Sequence, residues 1–312
     1  MLHLLCSTQP SRSKAVSVAA EEMRTLFADC GVEIPSGGPL SDRSGVYWVD
    51  LPDRYLGTLD ERAPWIGYTR TIQLLEPTEP GGSPRTTDDV VRWKSSWYIL
   101  TPIWTSDDEE IRMTSADRRT FYLRDARGGI SRVNGYRGDG TEGGPKALPV
   151  IDSRLLVNLA YRPEMRSLLD PFAGAGGIVV EALRRGLDVS SMDIAPHIAP
   201  GLERFGADHT TGDAAGMPYA DRSFDGLATE LPYSVEDPDA LRRWVSEMAR
   251  VLRPHARCAI MCSSEQRGMI QRDLDVRGAE LGMDRCVAEY VRRRGTSVAV
   301  MVYTRTAEHS PR

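Results

Sequence analysis

The chain has 312 residues, 41% hydrophobic and 27% charged, the balance of an ordinary folded protein with room for two domains. Residues 1–145 carry 17 basic and 21 acidic side chains and residues 146–312 carry 22 and 23, so neither half has the basic excess of a protein that grips a phosphate backbone. Five scattered cysteines without a Cys-x-x-Cys pair argue against a disulfide framework or a zinc site. No stretch approaches the ~20 apolar residues of a membrane span, and a reducing cytoplasm is expected.

In chain order, residues 1–6 read as a strand, because the apolar run lacks the basic flank of a signal peptide. Residues 13–30 have helical spacing and stop before Gly31, and 44–51, 93–104 and 119–124 read as strands. The longest run of breakers is Gly138-Asp-Gly-Thr-Glu-Gly-Gly-Pro145, which sets the expected boundary. A smaller α+β substrate-recognition domain would occupy 1–145, a cofactor-binding catalytic domain 146–306, and a disordered tail 307–312. The second half alternates strand and helix. Helices are expected at 152–161, 178–186, 239–252 and 268–281, and strands at 167–169, 188–193, 224–229, 256–263, 285–291 and 297–304. The fold class is therefore α/β, a Rossmann-like sheet closed by a terminal antiparallel strand pair.

The segment Leu168-Leu-Asp-Pro-Phe-Ala-Gly-Ala-Gly-Gly-Ile178 follows a strand and opens a helix, the setting in which a glycine turn binds a nucleotide-like cofactor. A P-loop would continue with Gly-Lys-Ser/Thr, but Ile178-Val-Val follows; a dinucleotide loop would place its third glycine at Val179. S-adenosylmethionine (SAM) is the remaining reading. Asp170 would accept from the methionine ammonium, and the helix N-terminus would face the carboxylate. Asp193, 19 residues after Gly174, would accept from the ribose hydroxyls, and Asp213 from the adenine amine. The expected cofactor set is Asp170, Phe172, Ala173, Gly174, Gly176, Asp193, Ile194, Asp213 and Ala214. An aspartate at a position like 213 is also a common turn cap.

Asp170-Pro-Phe-Ala-Gly-Ala-Gly-Gly-Ile-Val-Val-Glu-Ala182 resembles the first motif of the tRNA guanine-N2 methyltransferase family, class I SAM-dependent enzymes that write Asp-Pro-Phe-Cys-Gly-Thr-Gly-Gly there. Residues 147–160 are similar to the helix before that motif, and Met1-Leu-His-Leu-Leu and Trp65-Ile-Gly-Tyr-Thr-Arg70 extend the likeness in outline. The resemblance implies a catalytic Asp/Asn-Pro-Pro-Tyr signature after the fourth strand. Thr229-Glu-Leu-Pro-Tyr-Ser234 stands there, with Pro232 and Tyr233 matching, Glu230 in place of the Asp or Asn, and Leu231 in place of the first proline. The implied catalytic set is Glu230, Pro232 and Tyr233. Glu230 would act as general base for a hydroxyl, phenol or amine, or else cap the following turn, and Tyr233 would stack on a planar acceptor.

The basic cluster Arg292-Arg-Arg294 reads as a solvated hairpin turn or a phosphate contact, and Arg118, Arg119 and Arg124 as candidate holders of an acidic substrate. His197 and His209 lack a metal-type spacing and read as structural, so no metal is expected. Three functions follow as expectations. The first is transfer of a methyl or 3-amino-3-carboxypropyl group from SAM to oxygen or nitrogen of a small molecule, in specialised metabolism. The second is methylation of a tRNA guanine. The third is an inactive RNA- or partner-binding relative.

Overall fold

The computed structural model describes residues 1–9, 12–38, 40, 42–77, 90–93, 96–106, 120–124, 130–134, 148–234, 237–293 and 296–307. The N-terminal part builds an antiparallel five-stranded sheet from β1 (Leu2–Thr8), β2 (Val46–Leu51), β3 (Thr69–Pro77), β4 (Val90–Trp93) and β5 (Ser96–Thr105), in the order β2-β1-β3-β5-β4. Helices α1 (Val16–Leu26) and α2 (Leu56–Arg62) accompany it, and β6 (Thr120–Arg124) pairs with β7 (Ile130–Asn134) as a separate ribbon.

From α3 (Val150–Ala160) onward the chain alternates: β8 (Ser167–Asp170), α4 (Gly177–Arg184), β9 (Asp188–Asp193), α5 (Ala199–Phe205), β10 (Asp208–Thr211), β11 (Phe224–Glu230), α6 (Pro238–Val251), β12 (Leu252–Ser263), α7 (Ser264–Leu281), β13 (Met283–Arg293) and β14 (Thr296–Arg305). The seven strands lie in the order β10-β9-β8-β11-β12-β14-β13, parallel from β10 to β12 and antiparallel for the last two pairs. The order reverses between β8 and β11. That switch point opens a crevice at the strands' carboxyl ends, where open α/β sheets bind ligands.

Both faces of this sheet are covered, and the strands show it residue by residue. Ala259, Met261, Val298, Val300 and Val302 enter one core, while Cys258, Ile260, Cys262, Ala299, Met301 and Tyr303 enter the other, the period of two that pleating imposes. The second core is filled by Trp244 and Met248 of α6 and Ile270 and Leu274 of α7. The first is shared with the N-terminal part: Val18, Ala19 and Met23 of α1 join Leu155, Leu156 and Leu159 of α3. Each buried Val, Leu, Ile or Met among them contributes roughly 1.5–3 kcal/mol.

Helix α3 is buried on all sides, so its polar residues need partners. Arg12 donates to both carboxylate oxygens of Asp152 at 2.7 and 2.8 Å, and Tyr68 adds its hydroxyl at 2.8 Å. Asn158 donates to Glu22 and to the Trp65 carbonyl, and Glu22 also accepts the N–H groups of Gly67 and Tyr68 at 2.7 and 2.9 Å.

Several expected bounds shift. The first strand extends to Thr8, and the helix expected over 13–30 is α1 followed by a 3-10 turn at Ala28–Cys30. Residues 93–104 are not one strand, because Trp93 ends β4 and sits opposite Ser96 of β5. Helix α7 starts at Ser264 rather than Gly268, since Ser263 and Gln266 form a capping box. Helix α5 was hidden by Pro200 and Gly201; proline is tolerated in a helix's first turn, where its missing N–H is not needed. The breaker run 138–145, Arg118, Arg119, Arg294 and residues 308–312 lie outside the described residues. Among those described, no helix is long and apolar enough to cross a membrane.

Candidate active site

The crevice is lined by the carboxyl ends of β8, β9 and β11, which deliver Asp170, Asp193 and Glu230 to one opening. Asp170 is 1% exposed. Its Oδ1 accepts the Thr229 hydroxyl at 2.7 Å and the Phe172 N–H at 3.2 Å. Burial pushes the carboxyl up from 3.8 to about 7; the two hydrogen bonds oppose that rise, while Asp193 and Glu230 add to it as like charges.

The turn that follows is built by glycine where the backbone demands it. Gly174 and Gly176 have φ of 48° and 83°, a region L-residues rarely enter. Gly177 is required for a different reason: a Cβ there would stand 2.7 Å from Ser153 Oγ on α3. Phe172 meets the Trp244 ring edge-on with centroids 4.7 Å apart, and the buried Ala173 donates its N–H to the Met192 carbonyl at 2.9 Å. The turn is thus wedged between α3, α6 and β9, and it leads directly into the first turn of α4, whose N–H groups have no acceptor within the helix.

Asp193 accepts the Gly174 N–H on Oδ2 and the Ala195 N–H on Oδ1, both at 2.9 Å, which fixes its carboxylate at the loop's edge. Ile194 beside it is 72% exposed, an apolar side chain standing at the mouth. Asp213 accepts the Ala215 N–H at 2.9 Å and caps the turn Ala214–Gly216, with Ala214 buried beneath. The capping role is therefore real; a 2.9 Å bond from the Gly212 N–H to the Asp193 carbonyl keeps this turn next to the loop.

Glu230 ends β11, half-buried, and Tyr233 donates its hydroxyl to Glu230 Oε1. The Tyr233 ring packs against the core shared with α1 and α3, Leu231 is buried in the α6–α7 core, and Pro232 is exposed. His209 shares a hydrogen bond with Ser191 Oγ, and burial lowers its pKa; His197 is exposed on the turn Pro196–Ile198. Arg292 offers its carbonyl to Arg12 at 3.4 Å, and Arg124 lies on β6, away from this sheet's ladder. Among the described residues no cluster of three His, Cys, Asp or Glu side chains is placed to share a metal ion.

Two residues at the site escaped the sequence reading. Thr229 holds Asp170, and the fully buried Gln266 donates its side-chain amide to the Pro232 carbonyl at 2.8 Å. The cap role of Gln266 was within reach, because Ser263-Ser-Glu-Gln266 spells a capping box, but its bond to Pro232 leaves no mark in the sequence.

The donor set fits SAM. Carboxylates suit its two cationic centres and its ribose hydroxyls, helix-terminal N–H groups suit its carboxylate, and an exposed isoleucine suits the face of its adenine. Comparison with known proteins agrees. Residues 169–260 match the model of a methyltransferase domain. The chain is 38% identical over 98 residues to the tRNA (guanine(10)-N2)-dimethyltransferase of Pyrococcus abyssi (strain GE5 / Orsay), a match covering 28% of this chain and 29% of that protein. It thus spans under a third of that relative's length. Its fold also follows TrmN from Thermus thermophilus, with a TM-score of 0.52 at 14% identity over 98% of this chain and 100% of that one. Residues 169–260, which hold the crevice between β8 and β11, accordingly form a SAM-dependent methyltransferase domain, and a 98-residue stretch of the chain resembles a tRNA methyltransferase.

Proposed function

We propose that this chain transfers the methyl group of SAM to a nitrogen or oxygen of a planar small molecule, with Glu230 taking the acceptor's proton. The observation that carries this reading is the pairing of Glu230 with Tyr233 at the end of β11, beside the cofactor crevice. The cofactor, when bound, supplies an electrophilic methyl carbon on a sulfonium. Asp170 would meet the ammonium, Asp193 the ribose, and the turn at Asp213 and Ala214 the adenine. Glu230 would accept the proton as the nucleophile attacks, and its bond from Tyr233 holds one carboxylate oxygen in place. The exposed Pro232 would lie against the acceptor. Most of the acceleration would come from holding the two reactants together, worth roughly 7–11 kcal/mol. The part before residue 146 would shape the acceptor side.

A second reading is methylation of a guanine in tRNA. It is favoured by the match to the tRNA (guanine(10)-N2)-dimethyltransferase of Pyrococcus abyssi. The absence of basic excess in either half favours the small acceptor. The test is methyl incorporation from labelled SAM into unfractionated tRNA and, in parallel, into a protein-free metabolite extract, at physiological salt. Label in the extract with none in tRNA supports the first reading, and label in tRNA overturns it. The mass gained by the product separates methyl from 3-amino-3-carboxypropyl transfer. A chain that binds SAM and labels neither would fit a binding role without catalysis.

A further inference from the structure

The segment bearing Glu230 and Tyr233 is a strap pinned at three points. Leu231 donates its N–H to the Met261 carbonyl at 2.8 Å, which prolongs the β11–β12 ladder by one bond, and buries its side chain on the α6–α7 side. Tyr233 packs on the opposite side. Between them the Pro232 carbonyl turns inward to the Gln266 amide at 2.8 Å.

Gln266 is itself held. Its Oε1 accepts the Ser263 N–H at 3.0 Å, and its own N–H donates to Ser263 Oγ at 3.1 Å. One neutral, fully buried amide therefore divides its two ends, acceptor to the helix cap and donor to the strap. Leucine leaves φ free at 231 where a proline would fix it, so the path of the strap must be set by contacts made after that residue.

We infer that Gln266 is a positioning residue for methyl transfer: clamped in the α7 cap, its amide sets the course of 230–234 and so the placement of Glu230 and Tyr233 against the acceptor. This rests on the catalytic reading of Glu230 given above. Constellations of this kind need placement within about half an ångström, and a slip of about 1 Å costs on the order of a hundredfold in rate.

Two variants separate the cap from the tether. Gln266→Glu keeps the shape and still accepts the Ser263 N–H, and at a pH high enough to ionise the buried acid it presents a carboxylate oxygen to the Pro232 carbonyl instead of a donor, so kcat is compared at that pH. Ser263→Ala removes the hydroxyl of the cap and leaves the tether. The readouts are SAM affinity by calorimetry, kcat and KM on the acceptor identified by the incorporation assay, and hydrogen exchange of peptides covering 229–234 and 264–270. Gln266→Glu should lower kcat by about 10–100-fold, leave SAM affinity and KM for SAM within about twofold, and speed exchange in 229–234. Ser263→Ala should speed exchange in 264–270 with kcat within about twofold of wild type. Wild-type kcat in Gln266→Glu, or equal losses in both variants, would overturn the inference. If Gln266→Glu does not fold, Gln266→Met removes the donor without adding charge; it also removes the acceptor of the Ser263 N–H, so its loss of kcat must exceed that of Ser263→Ala by about tenfold or more, and a loss no larger than that of Ser263→Ala would overturn the inference. If the wild type binds SAM but methylates nothing, the proposed function fails, and the exchange of 229–234 alone decides whether Gln266 sets the strap.

Discussion

The Thr229 hydroxyl reaches across the switch point to Asp170, 2.7 Å away, joining the end of β11 to the end of β8. This bond stabilises the ionised form and so opposes burial, which nevertheless raises the carboxyl to about 7. Cofactor binding should therefore be linked to a proton. Below about pH 7 the carboxyl must lose its proton to meet the methionine ammonium, so SAM affinity should rise by up to about tenfold per pH unit and level off above that point. Calorimetry in buffers of different ionisation enthalpy should show close to one proton released per SAM at pH 6 and close to none at pH 8.5. Affinity independent of pH would remove Asp170 from the ammonium site.

The same carboxyl affects stability in the free protein. Its folded pKa is raised, so its contribution is fully present below the unfolded value near 4 and is lost as pH climbs through about 7. Asp170→Asn keeps an oxygen for the Thr229 and Phe172 donors and cannot ionise. Its melting temperature should match wild type within about a degree at pH 4 and exceed it by a few degrees, roughly, at pH 8.5, while SAM binding weakens. A gain that was the same at both pH values would argue against a buried, neutral acid.

Glu230→Gln should lower kcat by about 10²–10⁴-fold, the range of general-base contributions, with SAM affinity within about twofold of wild type. Tyr233→Phe removes only the hydroxyl that orients the carboxylate and should cost about tenfold or less. Undiminished turnover in Glu230→Gln would make that residue a structural cap and leave methyl transfer to approach and orientation alone.

How much of this was legible in the sequence follows from where the information sits. The glycine turn, the carboxylates at strand ends and the terminal strand pair were readable because each leaves a local mark: alternation, a breaker, an acid at fixed spacing. The strap's anchor was not, because the Gln266–Pro232 bond joins residues 34 apart and neither side chain is unusual alone. The burial of α3 was likewise invisible: Asp152, Arg154 and Asn158 are polar residues of an ordinary helical stretch, and the partner each one meets is supplied from elsewhere in the fold.

Gly177 offers a packing test that is independent of catalysis. Gly177→Ala would set a methyl 2.7 Å from Ser153 Oγ and push the cofactor turn away from α3. It should cost about 1–3 kcal/mol and weaken SAM binding. Ser153→Ala in the same chain removes the offending atom, so the double variant should recover about 1 kcal/mol of that loss by urea unfolding. Strict additivity would show that the close approach is not what requires glycine there.

The Arg12–Asp152 pair ties the N-terminal segment to the helix against which that turn packs. Both side chains are essentially sealed from solvent, at 3% and 0% exposure. Attraction between them is offset by the cost of removing two charges from water, so the pair's net worth is small while the cost of breaking it is large. Arg12→Met leaves a buried carboxylate that, among the described residues, keeps only the Tyr68 hydroxyl and should destabilise by about 3–5 kcal/mol. Arg12→Met with Asp152→Leu removes both charges at similar volume and should return most of that loss, less about 1 kcal/mol for the stranded Tyr68 hydroxyl. Urea unfolding of the four chains measures the cycle. A double variant as unstable as Arg12→Met alone would mean that the guanidinium's packing, through its 5.5 Å approach to the Tyr68 ring and its bond to the Arg292 carbonyl, holds the two parts together rather than the ion pair.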